Sequence, residues 1–163
     1  MINFHEVTSD SSLKSIEIMA GTIWHEHYTP IIGAEQVNYM LDKFQSVQAM
    51  RDQINEGYQY FLINFNDNAV GYLSIEKREN ALFLSKIYLL KLERGKGIGR
   101  KAMEFVTSMA QGLQCEKVAL TVNRYNKNSI QAYKSSGFEI KGELVQDIGN
   151  GFVMDDYLME KEL

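Results

Sequence analysis

The sequence predicts an α+β domain with three layers, in which a mixed, mostly antiparallel sheet of six to seven strands has helices on both faces. Two observations predict this fold class. The hydrophobic pattern changes from a helical to an extended period at Tyr58, and helical and extended segments alternate after the central strand. Three extended segments joined by short turns indicate an antiparallel meander, and a helix between two later strands indicates a parallel crossover.

The first third of the chain is predicted to form one strand followed by two or three helices. Residues 2–7 alternate in polarity, and Ser9 begins a run of serines and one aspartate that offers helix N-caps. The apolar spacing that follows predicts a helix ending at Pro30, because the residue before a proline disfavours the helical conformation. Gly33 begins a second helical stretch, and Val47 belongs to a third.

The rest of the chain alternates between extended and helical patterns. The meander is predicted over residues 58–63, 69–76 and 81–90, and its last strand is mostly apolar, which indicates a central position. The remaining predicted elements are a helix over 98–113, a strand over 118–122, a helix over 129–136 and final strands over 138–145 and 152–159.

Composition limits the class of protein. The 163 residues suffice for one core, and 45% hydrophobic with 23% charged residues is a globular balance. The 17 Lys and Arg against 21 Asp and Glu give a net charge of −4, which disfavours a nucleic-acid binder and leaves room for a cationic partner. No linker or repeat divides the chain, so residues 1–163 are predicted to form a single domain.

Location, redox state and metal content are also predicted from the residues. No apolar run is long enough to span a bilayer and no signal peptide is evident, so we expect a cytoplasmic protein without a membrane partner. Cys115 is the single cysteine and cannot form an internal disulfide. The histidine pair His25 and His27 lacks a cysteine and a third ligand, so no metal site is expected.

A basic, glycine-rich loop lies between the central strand and the next helix. Its sequence is Arg94-Gly95-Lys96-Gly97-Ile98-Gly99-Arg100. Glycines let a ligand approach the backbone, and the amides at a helix N-terminus favour phosphate or pyrophosphate. The alternative is a glycine-rich turn with basic surface residues. The P-loop is disfavoured because it needs Gly-Lys-Ser or Gly-Lys-Thr at its end, whereas Arg100 and Lys101 follow Gly99. The Rossmann motif is disfavoured because its third glycine would fall on Arg100 and the preceding strands are predicted to be antiparallel.

The helix after the strand over 118–122 presents a tyrosine. Asn126 and Tyr133 are seven residues apart, so they share a helix face, with Ser129 or Ile130 between them. A phenol with an unperturbed pKa near 10 has the chemistry to protonate a basic leaving group such as a thiolate. The alternative is a tyrosine half-buried on an amphipathic helix.

Together, the loop and this helix resemble the GCN5-related N-acetyltransferase (GNAT) superfamily. Residues 87–99 are similar to its acyl-CoA motif, an Arg-x-x-Gly-x-Gly loop after the central strand, and residues 126–138 to its Asn…Tyr…Gly-Phe helix. The resemblance covers roughly residues 58–138. It implies the acyl-CoA N-acyltransferase fold, in which the sheet splays at its central parallel pair, with acetyl-CoA as co-substrate.

The resemblance also implies roles for individual residues. Backbone groups around Tyr88 and Leu89 would hold the pantetheine arm and polarise the thioester carbonyl, while the loop amides would bind the pyrophosphate. Asn126 would contact the arm, and Tyr133 would be the catalytic residue that protonates the CoA thiolate. The implied cofactor-binding residues are Ile87, Tyr88, Leu89, Arg94, Gly95, Lys96, Gly97, Ile98, Gly99, Arg100, Asn126 and Ser129.

The acceptor side is less clearly marked. Several relatives carry a glutamate base on the central strand where this chain has Ser85, so proton removal is assigned to water or to Glu76, which is alternatively a solvated strand-end charge. By the resemblance, the first helices and last two strands build the acceptor pocket. Its candidate residues are Trp24, His25, His27, Tyr28 and Tyr39 on one side and Asp155, Asp156 and Tyr157 on the other. The predicted substrate-binding residues are Trp24, His27, Tyr28 and Asp155 from this set, together with Glu76.

The predicted function is transfer of the acetyl group of acetyl-CoA directly to a primary amine of a small molecule. Aromatic faces beside an acidic residue suit a polyamine-like acceptor. A peptide or protein amine is the second possibility for the acceptor, and a non-catalytic CoA-binding sensor is the alternative from another class. A homodimer is left open.

Overall fold

A seven-stranded mixed sheet forms the middle layer of the structure, a computed structural model that describes all residues from Met1 to Leu163. The helices and strands in chain order are β1 (Ile2–Val7), α1 (Asp10–Ile32), α2 (Ala34–Gln45), α3 (Val47–Asn55), β2 (Gln59–Phe65), β3 (Asn68–Arg78), β4 (Ala81–Leu89), α4 (Ile98–Gly112), β5 (Lys117–Asn123), α5 (Lys127–Ser135), β6 (Glu139–Gly149) and β7 (Phe152–Glu162). A short 3-10 turn over Lys91–Glu93 connects β4 to the loop before α4. None of the helices combines the length and the apolar composition needed to cross a membrane.

The strand order confirms the predicted fold class. The strands lie in the order β1-β2-β3-β4-β5-β7-β6, and β4–β5 is the one parallel pair. That pair is short: it joins Ala81, Leu82 and Phe83 to the first three residues of β5 and then stops. Because both strands continue beyond this point without pairing to each other, the sheet splays at its centre, as predicted.

Helices cover both faces of the sheet because each carries one apolar stripe. In α4 the buried residues Ile98, Ala102, Val106 and Ala110 recur every four positions and pack on one face together with Ile130 of α5. The apolar stripes of α1, α2 and α3 pack on the opposite face. The face covered by α1 to α3 and the face covered by α4 and α5 therefore have separate hydrophobic cores.

The end of the first helix differs from the prediction. Pro30 lies inside α1, which continues to Ile32 instead of ending at the proline. A proline near a helix end removes only one backbone hydrogen bond of the last turn, and the cost is correspondingly limited. The helix ends at Gly33, whose φ of 87° reverses the chain direction and whose N–H donates to the carbonyl of Thr29 at 3.0 Å.

The helix and strand boundaries near the C-terminus also differ from the prediction. Helix α5 begins at Lys127, two residues earlier than predicted, because Asn126 caps it by accepting a hydrogen bond from Ser129 N–H at 3.4 Å. Strands β6 and β7 are longer than predicted and pair as a hairpin. Polar residues at the ends of both segments obscure the extended pattern, and β6 is an edge strand with mostly exposed residues.

An irregularity in β4 and a close contact with β3 shape the end of the central strand. The β3–β4 register shifts after the Ser74–Lys86 pair, so that Ile75 pairs with Leu84 and Ser85 is an extra residue in β4. Nearer the strand end, a Cβ atom at Gly71 would clash with the carbonyl oxygen of Tyr88. Glycine at position 71 therefore lets β3 approach β4 where the site begins.

Candidate active site

The opening between β4 and β5 exposes backbone groups in the middle of the sheet. From Leu84 onward β4 makes no ladder with β5, and β5 from Leu120 onward pairs only with β7. The side chains of Ile87 and Leu89 pack towards the core beneath α4 and α5, so these residues contribute backbone to the opening. Unpaired amide and carbonyl groups at such a place are suited to an elongated ligand that itself carries amides.

The loop before α4 presents consecutive free amides. Gly95 and Gly97 both have φ of 80°, and Gly97 is the N-cap of α4 without a side-chain capping bond. None of the backbone N–H groups from Gly95 to Arg100 donates a hydrogen bond within the protein. A Cβ atom at Gly95 or Gly97 would meet nothing within 4 Å, so the space beside both residues is open. The loop has the donors and the helix dipole that a pyrophosphate requires.

The three basic residues of the loop are not equivalent. Arg94 donates from Nη2 to the carbonyl of Leu89 at 3.3 Å, and Lys96 pairs with Glu93 at 3.1 Å. Arg100 forms no ion pair, and its side chain lines the groove between α4 and α5. Arg100 and Arg94, which form no ion pair, are therefore the loop cations that are free to pair with a ligand phosphate.

Tyr133 lies on the α5 face that looks towards the sheet. Its ring is partly buried and packs edge-on against Phe138, with 5.7 Å between ring centroids. Burial raises the pKa of Tyr133 above that of a free tyrosine, and the nearby Tyr28 adds to the effect. The phenol is therefore protonated at neutral pH and available as a proton donor.

Two further tyrosines form a pair between α1 and the end of β4. The hydroxyl oxygens of Tyr28 and Tyr88 are 2.9 Å apart. Burial, opposed in part by this hydrogen bond and reinforced by the charge of Asp156, raises the pKa of Tyr28 to about 12. The contact of His27 with Asn126, 99 positions later in the sequence, brings the end of α1 to the start of α5, the helix that carries Tyr133.

Trp24 supports these rings from inside the core. It is 3% exposed, and its ring centroid lies 5.5 Å from that of Tyr28 and 5.6 Å from that of Tyr88. Its indole N–H donates to the hydroxyl of Tyr72 at 3.0 Å, and Tyr72 donates to Gln45 at 2.5 Å. This buried network fixes the orientation of Trp24. Acceptor contact by Trp24 stays a prediction, and its observed position is behind the other aromatic rings.

His27 contacts the start of α5. Its Nε2 lies 2.9 Å from Nδ2 of Asn126, which is 5% exposed. Burial lowers the pKa of His27, and the positive charge of Arg94 lowers it further. His27 is thus a neutral imidazole at pH 7. Both polar side-chain atoms of Asn126 make hydrogen bonds within the protein, so its contact with the cofactor arm stays a prediction. Ser129 lies one helical turn further on, and its hydroxyl has no partner within the protein.

Glu76 lies far from this cluster. It pairs across the sheet with Phe83, whereas Tyr72 pairs with Tyr88, and four residues of β3 span about 13 Å. Its Oε1 accepts from Arg78 Nε at 2.6 Å. The structure therefore places Glu76 in an ion pair at the opposite end of β4 from Tyr88, and its role as a base stays a prediction.

The two adjacent aspartates of β7 have opposite environments. Asp155 accepts from Arg124 Nε at 2.7 Å, so its charge is paired. Asp156 is 5% exposed and has no hydrogen bond or ion pair from its carboxylate. Burial raises the pKa of Asp156 to about 6, and the like charge of Asp155 contributes. Substrate binding by Asp155 stays a prediction. Asp156 lies on the opposite face of β7, the face of Met154, which packs in the same core as Tyr28.

Comparisons with known proteins agree with this arrangement. The family model described as "Acetyltransferase (GNAT) family" matches residues 22–138. An uncharacterized N-acetyltransferase of Mycobacterium bovis is 27% identical over 136 residues, covering 82% of this chain and 86% of that protein. A protein of Bacillus subtilis subsp. natto named "Probable spermine N(1)-acetyltransferase" is 26% identical over 70 residues, which is 42% of this chain and 46% of that protein.

A solved structure shares the fold over the whole chain. The PaiA N-acetyltransferase of Thermoplasma acidophilum, crystallised with coenzyme A, superposes with a TM-score of 0.84 at 18% identity and covers 100% of this chain and 99% of its own. The free loop amides and the opening between β4 and β5 are the features that a CoA-binding fold requires. The chain belongs to the acetyltransferase (GNAT) family and is an N-acetyltransferase with acetyl-CoA as its co-substrate.

Proposed function

We propose that residues 1–163 act as one catalytic domain that transfers the acetyl group directly to a primary amine of a small, polyamine-like molecule. The observation that carries this proposal is the gap between β4 and β5, which lies between the free amides of the loop after β4 and the helix after β5 that carries Tyr133. A thioester held along that gap would present its sulfur to the Tyr133 phenol.

The cofactor roles follow from the free backbone groups. The amides from Gly95 to Arg100 would bind the pyrophosphate, with Arg100 supplying a cation. Backbone groups around Tyr88 and Leu89 would pair with the amides of the pantetheine arm and polarise the thioester carbonyl. Gly71 supports this geometry, because the absence of a side chain there lets the Tyr88 carbonyl lie close to β3.

Tyr133 would protonate the departing sulfur. As the C–N bond forms and the C–S bond breaks, the sulfur gains the electron pair and takes the Tyr133 phenolic proton. The resulting phenolate then accepts a proton from the acetylated nitrogen, which restores Tyr133. Burial raises the pKa of the phenol, and a departing thiolate in the same buried place would be disfavoured as well, which favours transfer of the proton to sulfur.

The closed acceptor side favours a small molecule over a peptide. Helix α2 is bonded to the β6–β7 hairpin: Tyr39 donates to the carbonyl of Ile148 at 2.6 Å, and Lys43 donates to the same oxygen at 2.6 Å. Gln36 donates to the carbonyl of Val153 at 2.8 Å. A peptide acceptor needs an open groove, and these bonds bridge the two elements between which such a groove would run.

The polyamine class rests on two further observations. The wall built by Tyr28 and Tyr88 is aromatic, and a buried carboxylate, Asp156, lies beside it, a combination that suits an ammonium group. The spermine acetyltransferase named above matches part of the chain, which supports the same acceptor class.

The test is acetyl transfer to a panel of amines, followed as CoA release. The panel contains putrescine, spermidine, spermine, an aminoglycoside, free lysine and a lysine-containing peptide. We expect kcat/KM to be highest for a polyamine and at least tenfold lower for the peptide. A peptide that reacts faster than every small amine would overturn the proposed acceptor class, and absence of transfer to every amine would overturn the proposed transfer.

A further inference from the structure

The buried carboxylate of Asp156 has no partner although it is close to the site. Of its neighbours on β7, Met154 packs in the core beneath α1 to α3, whereas Tyr157 and Met159 pack in the core beneath α4 and α5. Because strand residues alternate, Asp156 shares the face of Met154, which is also the face of Tyr28 and Tyr88. It pairs across the sheet with Asn123, at the end of β5 that has separated from β4.

The carboxylate reaches open space despite its burial. The Ser74 hydroxyl is the only buried side-chain polar atom that is both sealed from solvent and without a hydrogen-bond partner. The Asp156 oxygens have no partner either, so they are not sealed. The carboxylate is 5% exposed, has no hydrogen-bond partner and still touches solvent, so there is room for a small polar group beside it.

The charges around Asp156 leave it as the only unpaired anion at this place. Arg124, which follows the cross-strand partner of Asp156, is occupied by Asp155 at 2.7 Å and by Glu143 at 3.1 Å. Tyr28 on α1 is a phenol whose pKa is raised, and His27 on the same helix is neutral. The titratable and charged groups around this space are Tyr28 and His27 from α1, Tyr88 from β4, Arg94 from the loop, Arg124 after β5, Tyr133 from α5, Glu143 from β6 and Asp155 from β7.

We infer that Asp156 binds the ammonium group of the acceptor and removes its proton, a role that rests on the proposed acetyl transfer. The ammonium first pairs with the carboxylate. One N–H proton then moves to Asp156, which leaves a neutral amine whose lone pair forms the bond to the thioester carbon. Asp156 returns the proton to solvent after the amide product leaves, so that each turnover releases one proton in total.

The protonation of Asp156 fits both steps. With a pKa raised to about 6 by burial and by Asp155, the carboxylate is charged at pH 7.5 and still a stronger base than an ordinary aspartate. Below pH 6 it becomes neutral and loses its attraction for an ammonium group. Binding of the acceptor is therefore expected to weaken on acidification, while binding of acetyl-CoA does not depend on this residue.

The test compares variants of β7 carboxylates on the full chain. Asp156→Asn should lower kcat/KM for the best amine of the panel about 100-fold at pH 7.5, with the KM for acetyl-CoA unchanged. It should also remove the acidic limb of the pH–rate profile, which is the fall in kcat/KM near pH 6. Asp155→Asn should shift that limb to lower pH, because the like charge beside Asp156 is removed. Glu162→Gln, at the exposed end of the same strand, is the control and should match wild type.

A binding measurement separates this inference from the proposed transfer. Calorimetry with spermidine and the CoA-bound wild-type protein should show affinity falling about tenfold from pH 7.5 to pH 5, a fall absent in Asp156→Asn, whose affinity is already low. The role of Asp156 alone would be overturned if the wild-type protein transfers the acetyl group and Asp156→Asn keeps the wild-type KM for the amine and the wild-type fall in activity at low pH. If no amine is acetylated but spermidine binds with this dependence on pH and Asp156, the transfer fails and the binding role stands.

Discussion

The Nδ2 atom of Asn126 lies 2.9 Å from Nε2 of His27 and so connects the start of α5 to the end of α1. The Oδ1 atom of Asn126 accepts from Ser129 N–H at 3.4 Å, so its amide group is the donor to His27. The imidazole of His27 is then neutral with its proton on Nδ1, in agreement with its lowered pKa. One side chain thus caps the helix that carries Tyr133 and holds the helix that carries Tyr28.

Asn126→Ala is expected to destabilise the protein by about 1–2 kcal/mol, because it removes a helix cap and leaves a partly buried histidine nitrogen without a donor. Chemical denaturation measures the change. Asn128→Ala, on the exposed surface of the same helix, is the control and should change the free energy of unfolding by less than about 0.5 kcal/mol. Equal effects of the two substitutions would contradict the role of Asn126.

Tyr133→Phe is expected to lower kcat about 10- to 1000-fold while the Kd for CoA stays within a factor of two. The ring keeps its packing on Phe138, and only the proton donor is lost. Turnover and calorimetry on the same preparation give both values. Tyr125→Phe, which removes a hydroxyl from a 62% exposed ring, should keep wild-type turnover. A Tyr133→Phe variant as active as wild type would show that another group protonates the sulfur.

Gly97→Ala is expected to weaken CoA binding about tenfold and to cost about 1 kcal/mol of stability. The residue has φ of 80°, a conformation that side chains other than glycine disfavour, and its Cβ would project into the open space beside the loop amides. Gly112→Ala at the other end of α4 is the matched control, since its added Cβ meets no atom and its φ is ordinary. If both variants bind CoA equally well, the loop does not hold the phosphates.

Asp156→Asn is expected to stabilise the protein at neutral pH. Burial raises the pKa of Asp156 from 3.8 to about 6, so the folded state binds more protons than the unfolded state between these values. Stability contributed by this group is therefore fully present below pH 3.8 and is lost as the pH rises through 6. The loss amounts to about 3 kcal/mol at 1.36 kcal/mol for each pKa unit.

Thermal denaturation from pH 4 to pH 8 measures this effect. The gain in Tm of Asp156→Asn over wild type should grow across that range and level off above pH 7. Glu162→Gln should show no such pH-dependent gain. A difference between Asp156→Asn and wild type that is constant with pH would mean that Asp156 titrates as an ordinary surface aspartate.

Local signals were sufficient to predict most of the fold and half of the site. The order of helices and strands, the loop at residues 94–100 and the helix face shared by Asn126 and Tyr133 all depend on residues close in sequence. Hydrophobic period, glycine placement and capping residues report directly on such local geometry. The family resemblance built on these two segments is confirmed by the family match.

Contacts between distant segments were decided only by the tertiary structure. The sequence shows Asp155 and Asp156 as neighbours on one strand, but the packing pairs the first with Arg124 and buries the second on the sheet face that carries Tyr28. It likewise puts Glu76 in an ion pair with Arg78. The physical reason is that alternation along a strand assigns its residues to two faces but does not determine which face lies at the site. That depends on which helices pack on each face, and α1 lies more than one hundred residues away from β7 in sequence.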